Sequence, residues 1–493
     1  MNNLPDNRMN GRLLIFIVAY NAENTIENVL SRIPGYLADD YEVEVLIIDD
    51  SSRDETFKRA ELAKHRNISP FKITVLFNPV NQGYGGNQKI GYHYAIENRF
   101  DWVALLHGDG QYAPECLPEL VSPLSRGEAD AVFGSRMMRG TSALKGGMPL
   151  YKFAGNKILT WFQNRMLGTG LSEFHSGYRL YSIQALKEVH FDLNSNDFHF
   201  DTEIIIQLVT AGMRIREIPI PTFYGDEICY VNGLHYAWNV FMTTTQAKLQ
   251  HYNITYCRKF DCIPAEERKR IAELRMRPVE AAILEHLRQN SKVLISGTVR
   301  ETFSDLLKEH HHHIVNAGTG ELAALIESDK VDYLIIFNDS ELIRDPKGLL
   351  NRLHMLCRYS PGMEIVIHCG NVGYFWTRMR LFFGKFTYSA KGVMDQIDAQ
   401  LVTRRSAVRL FSQNGFTVTS ITGLPFPYDI LFKNLFMVRG LKSVGNVMIS
   451  LRKSLFSYQF VFFISPEPSL QYLLTSAIKI SGSKKEEIER ETR

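Results

Sequence analysis

An apolar run that ends abruptly in polar side chains is the chemically most informative feature of this sequence. Residues 102–106 are apolar, and His107, Asp109 and Gln111 follow at alternate positions. A strand that stops with nitrogen and oxygen ligands at alternate positions can hold a divalent cation against a phosphate. The segment is therefore a candidate centre for phosphate chemistry.

Two other apolar runs are also followed by polar groups. The first run leads into Tyr20 and Glu23, and the second ends at Asp50. At neighbouring strand ends these side chains could hydrogen-bond a nucleobase and its ribose, because carboxylates accept hydrogen bonds from ring N–H and hydroxyl groups. Helix capping is the alternative, since Asn, Asp and Ser commonly precede helices.

A glycine-rich turn supplies a further polar segment. Gly83, Gly85 and Gly86 lie beside Asn81 and Lys89, just before a predicted helix. Glycines let the backbone approach a ligand closely, while a helix start and a lysine favour an anion. A simple tight turn explains the same pattern equally well.

The elements that position these residues alternate between β-rich runs and helical patterns from residue 13 to about residue 220. This alternation predicts an α/β fold with a mostly parallel sheet covered by helices. The predicted strands are L-L-I-F-I-V-A, V-E-V-L-I-I-D-D, I-T-V-L-F, W-V-A-L-L and D-A-V-F-G-S, and the predicted helices span residues 24–32, 54–65, 86–98 and 114–125. The polar segments then lie at strand carboxyl ends, where open α/β sheets bind ligands.

Length and composition predict the organisation of the chain. Its 493 residues exceed one ordinary core. We predict a nucleotide-binding domain over residues 11–255, a helical connector over 256–290, a second α/β domain over 291–465 and a solvated tail over 466–493. A net charge of +3 argues against a nucleic-acid partner. No segment is long and uncharged enough to cross a bilayer, and six scattered cysteines favour reduced thiols in a cytoplasmic protein.

Taken together, the motifs of the first half resemble family 2 glycosyltransferases, especially the polyprenyl-phosphate (dolichol-phosphate mannosyltransferase-like) branch. The resemblance covers about residues 11–245 and consists of Y-N-x-E, I-D-D-S-S-x-D-x-T, N-x-G-x-G-G, G-D-G-Q-x-x-P-E and G-S-R in this order. It implies a Rossmann-like GT-A fold, a nucleotide-diphosphate sugar donor and inversion at the anomeric carbon. It also implies a magnesium or manganese ion that bridges the diphosphate to a D-x-D motif.

The resemblance also implies roles for individual residues. Asp50 would hold the nucleobase, Asp109 matches the second acid of D-x-D, Gln111 follows it, and His107 stands where the first acid normally is. A neutral imidazole supplies no charge to a hard cation, so we expect weaker metal affinity than in relatives with two acids. The full predicted donor-binding set is Tyr20, Glu23, Asp50, Lys89, Gly108 and Arg179.

Two arginines and several acids complete the candidate site. G-S-R-M carries Arg136, and E-F-H-S-G-Y-R carries Glu173, His175, Ser176 and Arg179. The arginines could bind donor or acceptor phosphates as bidentate forks, or they could form structural ion pairs with acids. Asp201 and Glu203 at a helix start suit the helix dipole.

A later segment bears on the acceptor. Tyr224, Asp226 and Glu227 lie on a predicted loop, where a carboxylate could act as general base for a hydroxyl acceptor. A phosphate acceptor needs no such base. The sequence therefore leaves both a lipid phosphate and a saccharide open.

The second half, over residues 291 to about 425, resembles class I S-adenosylmethionine-dependent methyltransferases. The resemblance rests on V-D-Y-L-I-I-F-N-D-S-E-L-I-R-D-P-K-G-L-L, R-Y-S-P-G-M-E-I-V-I, G-V-M-D-Q-I-D-A-Q-L-V-T-R-R-S-A and N-G-F-T-V, and it implies a second Rossmann-like domain. The cofactor loop has Gly297 alone, and no acid ends the second strand. We therefore expect that the fold is kept and that S-adenosylmethionine is not bound. Residues 374–388 mix aromatic and basic side chains, which fits a membrane surface or a core helix.

The leading interpretation is a metal-dependent inverting glycosyltransferase in cell-surface glycan synthesis, located in the cytoplasm with or without peripheral contact at the inner face of the membrane. Its acceptor would be a polyprenyl phosphate or a saccharide. One alternative is an active methyltransferase whose front domain binds nucleotide sugars. The other is a non-catalytic glycan-assembly module, which the histidine at position 107 favours.

Overall fold

The computed structural model describes residues 11–223, 232–252, 254–297, 300–310, 312–317, 331–337, 345–356, 362–384, 402–432 and 434–467. The chain forms two compact units, residues 1–264 and 265–493. Each unit contains one β-sheet with helices, so the predicted α/β class is confirmed for both.

The first unit is built on a seven-stranded sheet in the order β3-β2-β1-β4-β6-β5-β7. Its strands are β1 (Arg12–Ala19), β2 (Glu42–Asp49), β3 (Lys72–Phe77), β4 (Trp102–His107), β5 (Ala131–Ser135), β6 (Arg179–Ser182) and β7 (Ile215–Pro219). Strands β3, β2, β1 and β4 are parallel, whereas β6 runs antiparallel to both β4 and β5. The sheet is thus a mixed sheet. All five strands predicted from sequence are present, and β6 and β7 are additional.

Helices cover both faces of this sheet. They are α1 (Ile26–Ser31), α2 (Leu37–Asp40), α3 (Thr56–His65), α4 (Tyr84–Glu97), α5 (Leu117–Ser125), α6 (Ser142–Lys145), α7 (Leu150–Leu167), α8 (Ile183–Lys187), α9 (Phe200–Thr210) and α10 (Gly233–His251). The four predicted helices correspond to α1, α3, α4 and α5. Residues 13–17 of β1 are fully buried, because helices shield both faces of a parallel sheet.

The strand register brings the polar strand ends together. Ala19 pairs with Asp49 across β1 and β2, and Val18 pairs with His107 across β1 and β4. Because these strands are parallel, their carboxyl ends meet at one edge of the sheet. The residues that follow them therefore share that edge.

The second unit has a six-stranded sheet in the order β12-β13-β11-β10-β8-β9. Its strands are β8 (Lys292–Gly297), β9 (His313–Ala317), β10 (Tyr333–Phe337), β11 (Glu364–Gly370), β12 (Phe416–Leu424) and β13 (Gln459–Pro466). Strands β9, β8, β10 and β11 are parallel, and β13 is antiparallel to its two neighbours. The helices are α11 (Ala265–His286), α12 (Glu301–Glu309), α13 (Pro346–Leu356), α14 (Phe375–Phe382), α15 (Arg404–Gln413), α16 (Leu435–Leu451) and α17 (Lys453–Phe456).

Helix α11 forms most of the segment predicted as a connector. Its residues Val279 and Ile283 are buried in a core cluster with Val293 and Phe463 of the second sheet. The exact domain boundaries given by the sequence analysis stay a prediction. Over the described part of the chain, no helix combines the length and apolar character that crossing a membrane requires.

Candidate active site

The polar strand ends of the first unit line one open cavity of roughly 2500 Å³. Seven predicted site residues contribute to its wall: Tyr20, Asp50, His107, Gly108, Asp109, Gln111 and Arg136. The wall also contains Tyr84, His175, Asp201 and Tyr236. The cavity is large enough for a nucleotide sugar, since pockets for small ligands commonly measure 300–1,000 Å³.

Asp50 organises the glycine-rich turn. Its Oδ1 accepts hydrogen bonds from Asn78 Nδ2 and Gln82 N, both at 2.8 Å, and its Oδ2 accepts one from Gly83 N at 2.9 Å. A carboxylate oxygen can accept two hydrogen bonds, so one position on Oδ2 remains for a ligand. Asp50 therefore both holds the turn and presents an acceptor to the cavity.

Asp109 lies in a tight turn that directly follows β4. Its Oδ1 accepts a hydrogen bond from Gln111 N at 2.9 Å, and Gly110 between them has a φ of +75°, which favours glycine. No described residue donates a hydrogen bond to the other carboxylate oxygen. Gly108 anchors the turn, because its N–H donates to Val18 O and its carbonyl accepts from Thr25 Oγ1. The turn thus holds one carboxylate oxygen ready for a cation or a donor group.

His107 is fixed by a chain of polar contacts. Its Nε2 lies 3.3 Å from Tyr84 Oη, and that hydroxyl donates to Asp201 Oδ2 at 3.0 Å. Since the tyrosine proton is used on Asp201, we infer that His107 Nε2 carries a hydrogen and donates it to Tyr84. Burial lowers the pKa of His107, although the Asp109 and Asp201 carboxylates oppose this shift. The His107 ring is therefore neutral, with a hydrogen on Nε2 and a free lone pair on Nδ1.

Gly177 leaves the space that this arrangement needs. A Cβ atom at position 177 would lie 2.6 Å from His107 Nε2 and 3.0 Å from Tyr84 Oη. Contacts that short force neighbouring groups apart, and His107 is packed on its other side against Tyr112, at 4.9 Å between ring centroids. Glycine at this position is therefore part of what positions His107.

Arg136 is buried beside the cavity and bound to Glu173. Its Nε and Nη2 both donate to Glu173 Oε1, and its backbone N–H donates to Oε2 at 2.7 Å. Asn156 Nδ2 adds a further hydrogen bond to Oε1 at 2.9 Å. Burial raises the pKa of Glu173, but the Arg136 charge and these hydrogen bonds outweigh it and leave the pKa below its ordinary value. The pair is therefore ionised at neutral pH.

Comparison with known proteins identifies the chemistry. The model for glycosyl transferase family 2 matches residues 14–189, which contain the strand-end residues described above. An undecaprenyl-phosphate mannosyltransferase of Micrococcus luteus is 28% identical over 222 residues, which are 44% of this chain and 85% of that protein. The chain is a glycosyltransferase with a family 2 domain.

Two further similarities were found. A UDP-N-acetylglucosamine–dolichyl-phosphate N-acetylglucosaminyltransferase of Methanococcus voltae is 28% identical over 223 residues, which cover 43% of this chain and 86% of that enzyme. The crystal structure of glucosyl-3-phosphoglycerate synthase from Mycobacterium tuberculosis aligns with a TM-score of 0.37 at 18% identity, covering 48% of this chain and 80% of that one.

Two residues predicted to bind the donor, Lys89 and Glu23, make other contacts in this glycosyltransferase. Lys89 Nζ donates to Asn194 O and to Asn196 Oδ1. Glu23 Oε2 accepts a hydrogen bond from Glu55 N at 2.9 Å, close to the start of α3. Neither residue is among those that line the cavity. The Glu23 contact matches the helix-capping alternative, Lys89 holds the loop at residues 194–196, and the predicted donor-binding roles of both residues stay predictions.

Arg179 is almost fully buried within the first unit. Its guanidinium donates to three backbone carbonyls, those of Ser176, Asp201 and Phe174, at 2.7–2.8 Å. Its Nη2 also lies 3.6 Å from Asp201 Oδ2. The structural alternative thus has direct support for both arginines, since Arg136 pairs with Glu173, although Arg136 also lines the cavity.

The acids named in the sequence analysis also divide into one that faces the cavity and one that has a structural role. Asp201 faces the cavity, but Glu203 is fully buried and holds Ser195 N and Lys259 Nζ. The predicted general-base candidates Asp226 and Glu227, together with Tyr224, lie outside the described residues. Tyr84 and Tyr236 could not be predicted as site residues from the sequence, since tyrosines at helix starts give no signal of their own.

His175 is a buried histidine at the cavity wall. Its Nδ1 lies 2.8 Å from Tyr236 Oη, and burial lowers its pKa to about 4. An unfolded histidine has a pKa of about 6.5, so the unfolded chain binds the proton first as pH falls. The stability that neutral His175 contributes is therefore complete above about pH 6.5 and is lost progressively toward about pH 4.

We expect this titration to be visible in unfolding experiments. Between pH 7 and pH 5 the wild type should lose about 2 kcal/mol more unfolding free energy than a His175→Gln variant, which lacks the titrating group. Urea unfolding followed by tryptophan fluorescence at both pH values measures the difference. Identical pH dependence in the two proteins would contradict a buried neutral His175.

An exposed apolar surface adjoins the cavity. Helices α7 and α10 pack together through Phe162 and Phe241, whose stacked rings lie 5.0 Å apart. Eight apolar side chains of these helices are between 41% and 87% exposed: Leu150, Tyr151, Ile158, Trp161, Leu234, Trp238, Phe241 and Met242. Three of them, Tyr151, Ile158 and Leu234, also line the cavity. Exposed apolar patches of this kind commonly mark interaction sites.

Proposed function

We propose that this glycosyltransferase moves a sugar from a nucleotide-diphosphate donor to a polyprenyl phosphate, with inversion at the anomeric carbon. The observation that carries the proposal is the position of the apolar α7/α10 surface beside a cavity lined by the side chains predicted to bind phosphate and base. A polyprenyl chain needs such a surface, and a saccharide acceptor does not. The relatives named for undecaprenyl-phosphate and dolichyl-phosphate transfer support the same acceptor class.

The donor would lie across the carboxyl edge of the sheet. Asp50 Oδ2 offers the remaining acceptor position to a ring N–H of the base, beside the half-exposed ring of Tyr20. The diphosphate would then lie near the turn that carries Asp109. Arg53 and Arg136 also line the cavity and supply positive charge for phosphate groups.

The side chains present fit a magnesium or manganese ion that is bound jointly with the donor. Such ions are commonly held by one or two carboxylates together with substrate phosphates. Asp109 supplies the carboxylate, Gln111 an amide oxygen, and the Nδ1 atom of His107 is the ring nitrogen not engaged with Tyr84. The described residues include no cluster of three His, Cys, Asp or Glu side chains that could hold an ion alone. The ion, when bound, supplies charge that stabilises the leaving diphosphate.

The transfer step needs few further catalytic groups from the protein. A phosphate oxygen of the acceptor attacks the anomeric carbon, the bond to the nucleoside diphosphate breaks, and inversion follows from attack on the opposite face. The acceptor phosphate is already an anion, so this step needs no general base. Positioning of the donor and the acceptor by the cavity wall therefore provides the main contribution of the chain.

A paired substitution on the apolar surface tests the acceptor. We expect Trp161→Ser combined with Trp238→Ser to lower transfer to a long polyprenyl phosphate in detergent or vesicles at least about tenfold, because each exposed indole contributes apolar contact area. Transfer to a short, water-soluble isoprenyl phosphate should change little. Tyr36→Ser, at a 60% exposed tyrosine elsewhere on the unit, is the matched control. Efficient transfer to saccharides with none to either phosphate would overturn the proposal.

For the second unit we propose a Rossmann-like, methyltransferase-type domain that does not bind S-adenosylmethionine. The support is a sheet in which the first strand, β8, lies between β9 and β10, so that the strand order reverses there as in doubly wound folds. The sequence lacks the glycines and the acid that such a cofactor site uses. Calorimetric titration with S-adenosylmethionine tests this, and micromolar binding would contradict it.

A further inference from the structure

We propose that the second unit carries a docking surface for an anionic lipid bilayer, formed by α14 and α16. This α14/α16 surface consists of the exposed apolar side chains of the two helices and the basic residues beside them. It is independent of the cavity and of the α7/α10 surface in the first unit.

Helix α16 has three distinct faces. At 100° per residue, the buried residues Val438 and Ile449 share one face. Arg439, Ser443, Asn446 and Ser450 form a polar, exposed face beside it. A third face carries five apolar side chains that are between 39% and 88% exposed: Phe436, Met437, Val444, Val447 and Leu451. An ordinary surface helix has one apolar face, and that face is buried. The side chains of this exposed apolar stripe are therefore not buried when the unit folds, and they do not contribute to its hydrophobic core.

Helix α14 and the turn after it repeat the pattern on a smaller scale. Thr377 is the buried residue of the helix. Five apolar side chains fall within about 120° of arc on the opposite side at 100° per residue. They are Phe375, Trp376, Met379, Phe382 and Phe383, and their exposure ranges from 36% to 82%.

The two helices lie at the same edge of the second sheet. Phe375 contacts Phe456 of α17, with ring centroids 6.2 Å apart, and α17 directly follows α16. Asn371, which follows β11, donates hydrogen bonds to the backbone carbonyls of Ser454 and Ser457. The start of α14 and the end of α16 are thus joined by direct contacts, and their apolar stripes belong to one region of the unit.

The charge of this region complements an anionic surface. Residues 430–466 contain five basic side chains and no acid, and residues 371–384 contain Arg378 and Arg380 and no acid. Lys442 is neutralised by Asp429 at 2.5 Å. Among the described residues, no carboxylate pairs with Arg439, Arg452 or Lys453. Unpaired cations beside an apolar stripe are the pattern of helices that lie in the headgroup region of anionic membranes.

Vesicle co-sedimentation of the full-length protein tests the proposal. The experiment is made in the Trp161→Ser/Trp238→Ser background, so that the α7/α10 surface contributes little. We expect binding to mixed phosphatidylglycerol and phosphatidylcholine vesicles and much weaker binding to phosphatidylcholine alone, because basic residues near the surface are attracted to anionic headgroups. Phe436→Ser with Leu451→Ser should weaken binding to the anionic vesicles at least about tenfold, since it removes two large inserted side chains.

A matched control uses the polar face of the same helix. Ser443→Ala with Ser450→Ala changes two exposed positions of α16 and should leave vesicle binding unchanged. All variants alter exposed side chains, and circular dichroism checks that each is folded.

Three outcomes would overturn the proposal. They are equal binding to both vesicle types, no binding to either, and equal binding by the stripe and control variants. A wild-type dimer that the stripe variant converts to monomer without any vesicle binding would also overturn it, because the surface would then join two protein chains.

Discussion

Replacing Asp109 by asparagine is expected to lower kcat for sugar transfer at least about a hundredfold, because a site of this kind depends on charge placed where the leaving diphosphate develops its own. Asp109 is the only carboxylate predicted to hold the cation, and its second oxygen accepts no hydrogen bond from a described residue. Asparagine keeps the size and the turn-forming oxygen but removes the charge. Steady-state transfer assays at saturating manganese measure the effect.

The control for this variant is Asp39→Asn, at an exposed aspartate on α2. It removes one negative charge from the first unit without touching the cavity, and its kcat should equal that of the wild type. Unchanged kcat in the Asp109→Asn variant, or full activity of the wild type after the metal is removed, would contradict the assigned role.

Replacing Glu173 by alanine is expected to destabilise the first unit by about 3–5 kcal/mol, since removal of one partner leaves the buried Arg136 charge without compensation. The low pKa of Glu173 sets the pH dependence of this contribution. A carboxylate whose pKa is depressed in the folded state stabilises above its unfolded pKa, and the contribution disappears as pH falls through the folded value. Urea unfolding at pH 7 measures the loss.

An exposed ion pair provides the comparison. Glu128 pairs with Arg216 at 2.8 Å, and both side chains are more than a third exposed. Glu128→Ala should change the unfolding free energy by no more than about 1 kcal/mol, because solvent screens exposed pairs. A similarly small effect for Glu173→Ala would show that the buried pair is not needed for stability.

The sequence was sufficient to predict the sheet edge but not the direction of each side chain. Residues that end a strand, such as Asp50 and His107, reach the cavity because all parallel strands end at one edge. Lys89 lies on α4 five residues after Tyr84, which turns it about 140° around the helix axis. Tyr84 faces the cavity and Lys89 faces the loop at residue 194. Which of these side chains faces the cavity depends on the residue at which the helix begins, and the sequence does not fix that residue.

Tertiary contacts explain the other site features that the sequence did not predict. Arg179 belongs to β6, an antiparallel strand that the sequence did not predict, and its place between β4 and β5 puts the side chain inside the protein. The chain of hydrogen bonds from His107 through Tyr84 to Asp201 joins residues up to 117 positions apart in the sequence. No local pattern could have predicted it. The sequence likewise left both a membrane surface and a core helix open for residues 374–388, and the exposures show that α14 presents an apolar stripe to solvent.

Calorimetric titration of the full-length protein with UDP and GDP, with manganese or with a chelator, shows whether the cavity binds a cation and a diphosphate together. We expect at least one of the two nucleotides to bind in the presence of manganese, and we expect chelation to weaken this binding at least about tenfold, which corresponds to about 1.4 kcal/mol. In the Asp109→Asn variant the difference between manganese and chelator should vanish. Failure of both nucleotides to bind, or binding that neither the chelator nor the substitution affects, would contradict a cavity in which cation and diphosphate are held together.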